Sequence, residues 1–229
     1  MYNVTIIIPI LKLLAELLFL ILSENGKNIA ISKKRGRIMK RIINGLISFT
    51  NNIYNYIILK YRHVTIGANS KINGRIYCVS NSKQGIVIGN SVTINSCLKS
   101  NPIGGNERTI LFAKGNGKIS IGDNCGISNS VIFATKSIKI CDNVLIGGNV
   151  KIYDTDFHWV DYNKRINEEG GTAAEIIIKE GAFIGAHSII LKGVTIGERS
   201  VIGAGSVVTK DIPSDELWVG NPVRFVRKL

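Results

Sequence analysis

The chain has 229 residues, 45% hydrophobic and 20% charged, with a formal net charge of +13. That length accommodates one sizeable core and an appendage. Four cysteines, Cys78, Cys97, Cys125 and Cys141, make no C-x-x-C pair and no disulfide spacing, which excludes a disulfide-stapled scaffold and fits reduced thiols in a cytoplasmic setting.

The charge is concentrated at the start, where residues 1–65 hold ten Lys and Arg against two acids. A basic arm often means nucleic acid, but this one is rich in Ile and Leu and has no helix-turn-helix or aromatic-interleaved pattern, so no nucleic-acid partner is expected. Val4 to Leu22 has fifteen apolar residues in nineteen, interrupted by Thr5, Pro9, Lys12 and Glu16. Each central charge costs about 2.5–3.5 kcal/mol on insertion, and each Leu, Ile, Phe or Val returns only about 0.3–0.6. The balance lands near zero, so spanning a bilayer is marginal. No positive n-region precedes the run and no small-residue cleavage site follows, which disfavours a secretory signal. Lys33, Lys34, Arg35, Arg37, Lys40 and Arg41 come next, then a second apolar stretch from Ile42 to Tyr61. The expectation is a helical, basic segment over 1–63, ended near His63. It can lie on the cytoplasmic face of the inner membrane through residues 1–61, or cover the open end of the domain that follows; the two are compatible.

From residue 64 a different period takes over. Ile178, Ile184, Ile190, Ile196, Ile202 and Val208 fall six residues apart. Neither a helix nor a half-buried strand repeats every six. A coil of short parallel strands does, because each flat side uses one hexapeptide and turns one aliphatic residue inward. The frame extends upstream through Ile121, Ile127 and Phe133, then after a one-residue slip through Ile140, Ile146 and Ile152, with weaker pairs at Ile66/Ile72 and Ile88/Ile94. Gly directly follows seven of these residues, as at Gly147 and Gly185, where a tight corner or positive φ is expected. About five coils are expected, stacked into one core.

The ladder stops after Ile152 at Tyr153-Asp154-Thr155-Asp156-Phe157-His158 and resumes at Ile178, leaving a polar loop over 154–177. Loops thrown from a rigid scaffold carry function, and one this long calls for a reason. In an extended segment 154, 156 and 158 project to one side. An aspartate beside a histidine fixes its tautomer and suits it to general-base work. Asp156 is the first candidate for that partner and Asp154 its competitor. Acyl transfer from a thioester to an alcohol needs one such base, with no metal and no cysteine nucleophile. Asp154, Trp159, Asp161, Tyr162 and Arg165 are the candidate acceptor contacts. The three histidines are too scattered for a zinc centre, and His187 suits packing or a place near a coenzyme.

The stretches IGAHSIILKGVTIGERSVIGAGSVVTKDIP (184–213) and GNPVRFVRKL (220–229) resemble the hexapeptide-repeat O-acetyltransferases, the galactoside, maltose and surface-polysaccharide enzymes among them. The resemblance is specific over 119–229, weaker over 64–118 and absent from 1–63. It implies an all-β fold, a left-handed parallel β-helix over 64–213, after the α-helical segment and before a basic tail over 214–229. It implies a homotrimer with sites between subunits, and acetyl-CoA as donor to a sugar hydroxyl, free or lipid-linked, in surface-polysaccharide biosynthesis. The tract DNVLIGGNVKIYDTDFH resembles the segment whose single histidine deprotonates the acceptor, which makes His158 the base and Asn129 the nearest match for an assisting polar residue. By the same resemblance Phe183, Ala186, Ala204, Thr209, Lys210, Arg224 and Arg227 line the coenzyme groove. A serine O-acetyltransferase or a sugar-amine N-acetyltransferase is the second enzymatic reading. A bare β-helix scaffold is the non-enzymatic one, and the His-bearing loop argues against it.

Overall fold

The computed structural model describes residues 29–229, with side chains from residue 36 onward. The run Val4–Leu22 therefore lies outside the described residues, as do the side chains of Lys33, Lys34 and Arg35. The chain falls into two compact units, Met1–Ile53 and Tyr54–Leu229. The division comes earlier than the boundary at 63 suggested by the sequence.

Helix α1 covers Ile29–Tyr61 and runs unbroken through the basic cluster into the apolar stretch that starts at Ile42. Lys, Arg, Ile and Met are adequate helix formers and no proline intervenes, so nothing stops the helix between them. Among the described residues no helix is long and apolar enough to cross a membrane.

In the second unit, the end of α1 is tied to the first coil. The Asn55 amide donates to the Gly74 carbonyl at 2.8 Å and its Oδ1 accepts from Ile76 N at 3.1 Å. Leu59 joins the core below. His63 closes the helix: it sits at φ 52, with Val64 N donating to Leu59 O and His63 N to Lys60 O.

Three sheets make the sides of the coil, each with six parallel strands from successive turns, and the second is extended to eight by two C-terminal strands. Six coils thus stack where the sequence led us to expect five. Column partners in the first sheet are Thr65, Val87, Ser120, Lys139, Ile177 and Thr195. Only the last interval is the ideal eighteen residues; those before it hold the extra chain that hid the first coils from a six-residue count. The two longest intervals contain the excursions 97–109 and 154–175.

The interior is three stacks of like side chains. One is Ile88, Ile121, Ile140, Ile178 and Ile196; the second is Ile94, Ile127, Ile146, Ile184 and Ile202; the third is Cys78, Leu111, Ile132, Ile152, Ile190 and Val208. Each buried Ile is worth about 1.5–3 kcal/mol of hydrophobic stabilisation. The sequence frame placed Phe133 inward, and the register reverses that. Ile132, fully buried, is the inward residue of its coil, and Phe133 turns outward. The chain rounds the preceding corner in five residues, with Asn129 at φ 46.

The glycines after the inward aliphatics serve close approach. A Cβ on Gly147 would lie 2.6 Å from Ala186 N, and one on Gly185 would lie 2.5 Å from Ala204 N. Positive φ falls two residues later, on Asn149 (60°) and His187 (61°) in those coils. Buried serines satisfy the corner carbonyls: Ser188 Oγ donates to Gly203 O at 3.1 Å and Ser206 Oγ to the same oxygen at 2.6 Å.

The C-terminal segment, expected as a tail, is a hairpin. Glu216–Val219 continues the second sheet in parallel beside Val201–Ile202, and Arg224–Lys228 returns antiparallel.

Candidate active site

The strand Lys151–Tyr153 delivers the chain to the loop, and Asp154 anchors the exit. Its side chain is fully buried. Oδ1 accepts from Thr135 N at 2.7 Å and Thr135 Oγ1 at 3.0 Å; Oδ2 accepts from Lys136 N at 2.7 Å and Ser137 N at 2.8 Å. Four donors occupy both oxygens, which takes Asp154 away from any acceptor and makes it a structural tie between neighbouring coils.

Asp156 is also committed. It accepts from the Thr172 hydroxyl and pairs with Lys192 Nζ at 3.2 Å, rather than with the histidine two residues on. The extended alternation expected over 154–158 is broken, because Phe157 has φ 63. His158 stands exposed at the end of this turn, and among the described residues its ring has no hydrogen-bond partner.

The loop beyond spends its polar side chains on itself. Asp161 caps the short helix α2, Tyr162–Asn167, by accepting from Lys164 N at 2.9 Å. Arg165 donates to the carbonyls of Trp159 (3.2 Å) and Val160 (3.0 Å). The Trp159 ring carries Lys164 Nζ 4.9 Å from its centroid, while its buried Nε1 has no partner. Tyr162 is 64% exposed, with the Arg165 guanidinium 6.0 Å from its ring centroid. Asp161 and Arg165, read from sequence as acceptor contacts, are thus loop staples.

Asn129 is buried. Its Nδ2 donates to Glu107 O at 2.6 Å and its Oδ1 has no partner. The turn Pro102–Gly104 covers it so closely that a Cβ on Gly104 would lie 2.3 Å from the Asn129 Cβ. The excursion 97–109, which the six-residue count missed, is what closes Asn129 off from an acceptor.

The coenzyme candidates separate by register. On the outer face of the second sheet the column runs Gly126, Leu145, Phe183, Val201, Leu217 and Arg227. Arg224 faces Val219, two residues from Leu217, so both arginines share that outer face. They are three apart in sequence and would alternate, but the irregularity between Leu217 and Trp218 restores their common side. Ala186 and Ala204 stack at the adjoining corner, where Gly205 N donates to Ala186 O at 2.8 Å. Lys210 goes elsewhere: its Nζ lies 4.9 Å above the Trp218 ring, and Trp218 pairs with inward Ile202. Lys210 therefore lies apart from the two arginines, and Thr209 follows the third sheet.

Two of the four thiols, Cys78 and Cys125, are buried. Burial pushes Cys78 up to about 12 and Cys125 up to about 11. His187 Nδ1 lies 3.2 Å from Asn149 Nδ2 at a corner of its own. Among the described residues no three His, Cys, Asp or Glu side chains are grouped to hold a metal.

Residues 175–210 match the bacterial transferase hexapeptide family (six repeats), and 118–154 match the hexapeptide repeat of succinyl-transferase. These segments are hexapeptide repeats, and the coil has the left-handed parallel β-helix fold of solved hexapeptide-repeat proteins. Galactoside O-acetyltransferase from Escherichia coli K12 is 41% identical over 124 residues, which cover 54% of this chain and 60% of that protein. A Schizosaccharomyces pombe protein named "putative acetyltransferase" is 47% identical over 92 residues, 40% of this chain and 44% of that one. The chain thus spans about half the length of these curated relatives. Among solved structures, a galactoside acetyltransferase in complex with coenzyme A superposes with a TM-score of 0.52 at 26% identity, covering 96% of this chain and 82% of that one. A hexapeptide-repeat acetyltransferase from Vibrio cholerae, complexed with acetyl coenzyme A, gives 0.53 at 28% identity, covering 76% and 75%. The hexapeptide matches bracket the His158 loop on either side.

Proposed function

We propose that this protein transfers an acetyl group from acetyl-CoA to a hydroxyl of a sugar, with His158 as the general base. The observation that carries this is an exposed, unpartnered imidazole at the root of a long loop on a hexapeptide coil whose relatives are named acetyltransferases. The ring accepts the hydroxyl proton as the sugar oxygen attacks the thioester carbonyl. The imidazolium then returns the proton to the departing thiolate, leaving an O-acetyl sugar and free coenzyme thiol.

The outer face of the second sheet suits the donor. Its apolar column ending in two guanidiniums matches an apolar pantetheine arm ending in phosphates. That face and the His158 loop, which leaves the third sheet, belong to different sides of one coil. A site assembled from both therefore calls for neighbouring subunits, which supports a homotrimer. Replacing Arg224 and Arg227 by Ala is expected to raise the KM for acetyl-CoA by about one to two decades per arginine, since a charge-assisted hydrogen bond is worth about 1.5–3 kcal/mol. The acceptor KM should stay unchanged. Equal donor KM values in variant and native enzyme would remove the arginines from the site.

We also assign the acceptor to surface polysaccharide or its lipid-linked precursor, at the cytoplasmic face of the inner membrane. The support is the basic cluster containing Arg37, Lys40 and Arg41, beside exposed Ile43 and Ile47. Full-length protein is expected to float with vesicles rich in anionic lipid and to release in high salt. Equal recovery with neutral vesicles would show that charge is not what holds it.

A further inference from the structure

The residue preceding the base has an unusual conformation that asks for a cause. His158 N donates to Asp156 O at 2.7 Å, closing a three-residue turn around Phe157, whose φ is 63. A γ-turn with its central residue at positive φ is rare and strained, the more so for a bulky side chain. Such strain persists only where the surroundings over-determine it, and it gathers at functional sites.

The surroundings here are specific. The Phe157 ring packs on two outward aromatics of the third sheet. It lies 4.9 Å from Phe133, tilted by 57°, and 5.5 Å from Tyr153, edge-on at 70°. Phe133 in turn stacks on Phe112 at 4.9 Å and 17°. Residues 112, 133 and 153 are register partners in three successive coils, so the platform under Phe157 is part of the rigid ladder. The backbone is held as well: Phe157 N donates to Thr155 Oγ1 at 3.2 Å, and Thr155 bridges antiparallel to Ala173. On the other side Gly171 closes in, where a Cβ would lie 2.9 Å from the His158 carbonyl oxygen and 3.0 Å from its nitrogen. Asp156 is spent on Lys192 and Thr172, so no carboxylate of the loop orients the imidazole.

We infer that Phe157 is a positioning residue, its ring clamped on the Phe133–Tyr153 platform so as to hold the strained turn that aims His158. The inference rests on His158 being the base, and it replaces the missing carboxylate with an aromatic anchor acting through the backbone. Phe157 is 42% exposed, so its removal does not open the core.

Three variants of the full-length enzyme test it. Phe157→Gly removes the ring and leaves positive φ freely accessible; Phe157→Tyr keeps the ring; His158→Ala controls the underlying reading. Phe157→Gly is expected to lower kcat by roughly 10- to 100-fold, the scale of a small misplacement of a reacting group. The KM for acetyl-CoA and the thermal midpoint should hold, and Phe157→Tyr should restore native turnover. The imidazole resonances of His158, followed by NMR, should pass from one fixed environment to an averaged, broadened one in Phe157→Gly. Native kcat and unchanged His158 resonances in Phe157→Gly overturn the anchor while leaving the base in place. An active His158→Ala enzyme removes the base instead, and the resonances then decide the anchor alone.

Discussion

Alanine in place of His158 is expected to lower kcat by about two to four decades, the range that a positioned general base contributes. The KM for acetyl-CoA should be nearly unchanged, because the donor candidates lie on the second sheet and the histidine on the loop that leaves the third. The acceptor hydroxyl would still bind, but nothing would take its proton as the oxygen attacks. The three aspartates of the loop cannot substitute, for physical reasons visible at each of them. Asp154 is buried under four donors, Asp156 faces Lys192, and Asp161 is spent on a helix cap. The buried thiols of Cys78 and Cys125 stay protonated at neutral pH, so a covalent detour through them is closed. The measurement is thioester consumption against a panel of sugars, with His187→Ala as the comparison. His187 sits at a separate corner beside Asn149, and its loss should spare kcat. A His158→Ala enzyme with turnover within tenfold of native, or a His187→Ala enzyme with the larger defect, would refute the assignment.

The six-residue period made the later coils legible because nothing interrupts Ile178 to Val208, and every inward position there obeys it. The earlier coils were harder to count. Between Ile94 and Ile127 the chain inserts the excursion 97–109, and a period is invisible across an insertion of arbitrary length. The same insertion shuts Asn129 beneath Gly104, a burial that no local pattern announces. Phe133 and Ile132 are adjacent aliphatic and aromatic residues, and only the strand register decides which turns in. The histidine itself was legible, since it ends the regular ladder. Its partners were not. Sequence proximity favoured Asp156, but Lys192 and Thr172 reach that carboxylate from elsewhere in the chain, and a positive φ at Phe157 turns the imidazole out of line with it. The arginine pair illustrates the reverse case. Arg224 and Arg227 look like residues of a solvated tail, and the hairpin's irregular register is what gathers them on the face of Phe183.

The second large effect is expected at Asp154, and it is structural. Its carboxylate takes three backbone N–H groups and one hydroxyl from Thr135–Ser137, all at 2.7 to 3.0 Å. Removing it leaves these part-buried donors without their acceptor, and each buried group left unpaired costs about 1–3 kcal/mol. Asp154→Ala should therefore destabilise the protein by about 3–5 kcal/mol, the cost typical of deleting one side of a buried charged network. Asp154→Asn separates hydrogen bonding from packing. It preserves shape and volume, but its NH2 must face donors wherever it points, so a substantial share of the loss should remain. Denaturant unfolding at one fixed protein concentration reads both, since association would otherwise shift the midpoint. Turnover should fall with stability, because the same residue moors the loop: Ala174 N donates to the Asp154 carbonyl at 2.9 Å, and His158 lies on the strand-exit turn between them. If Asp154→Asn unfolds at the native midpoint, the coil corner does not depend on this carboxylate, and the loop that presents His158 is held by the Asp156 contacts, the Thr155–Ala173 bridge and the aromatic platform.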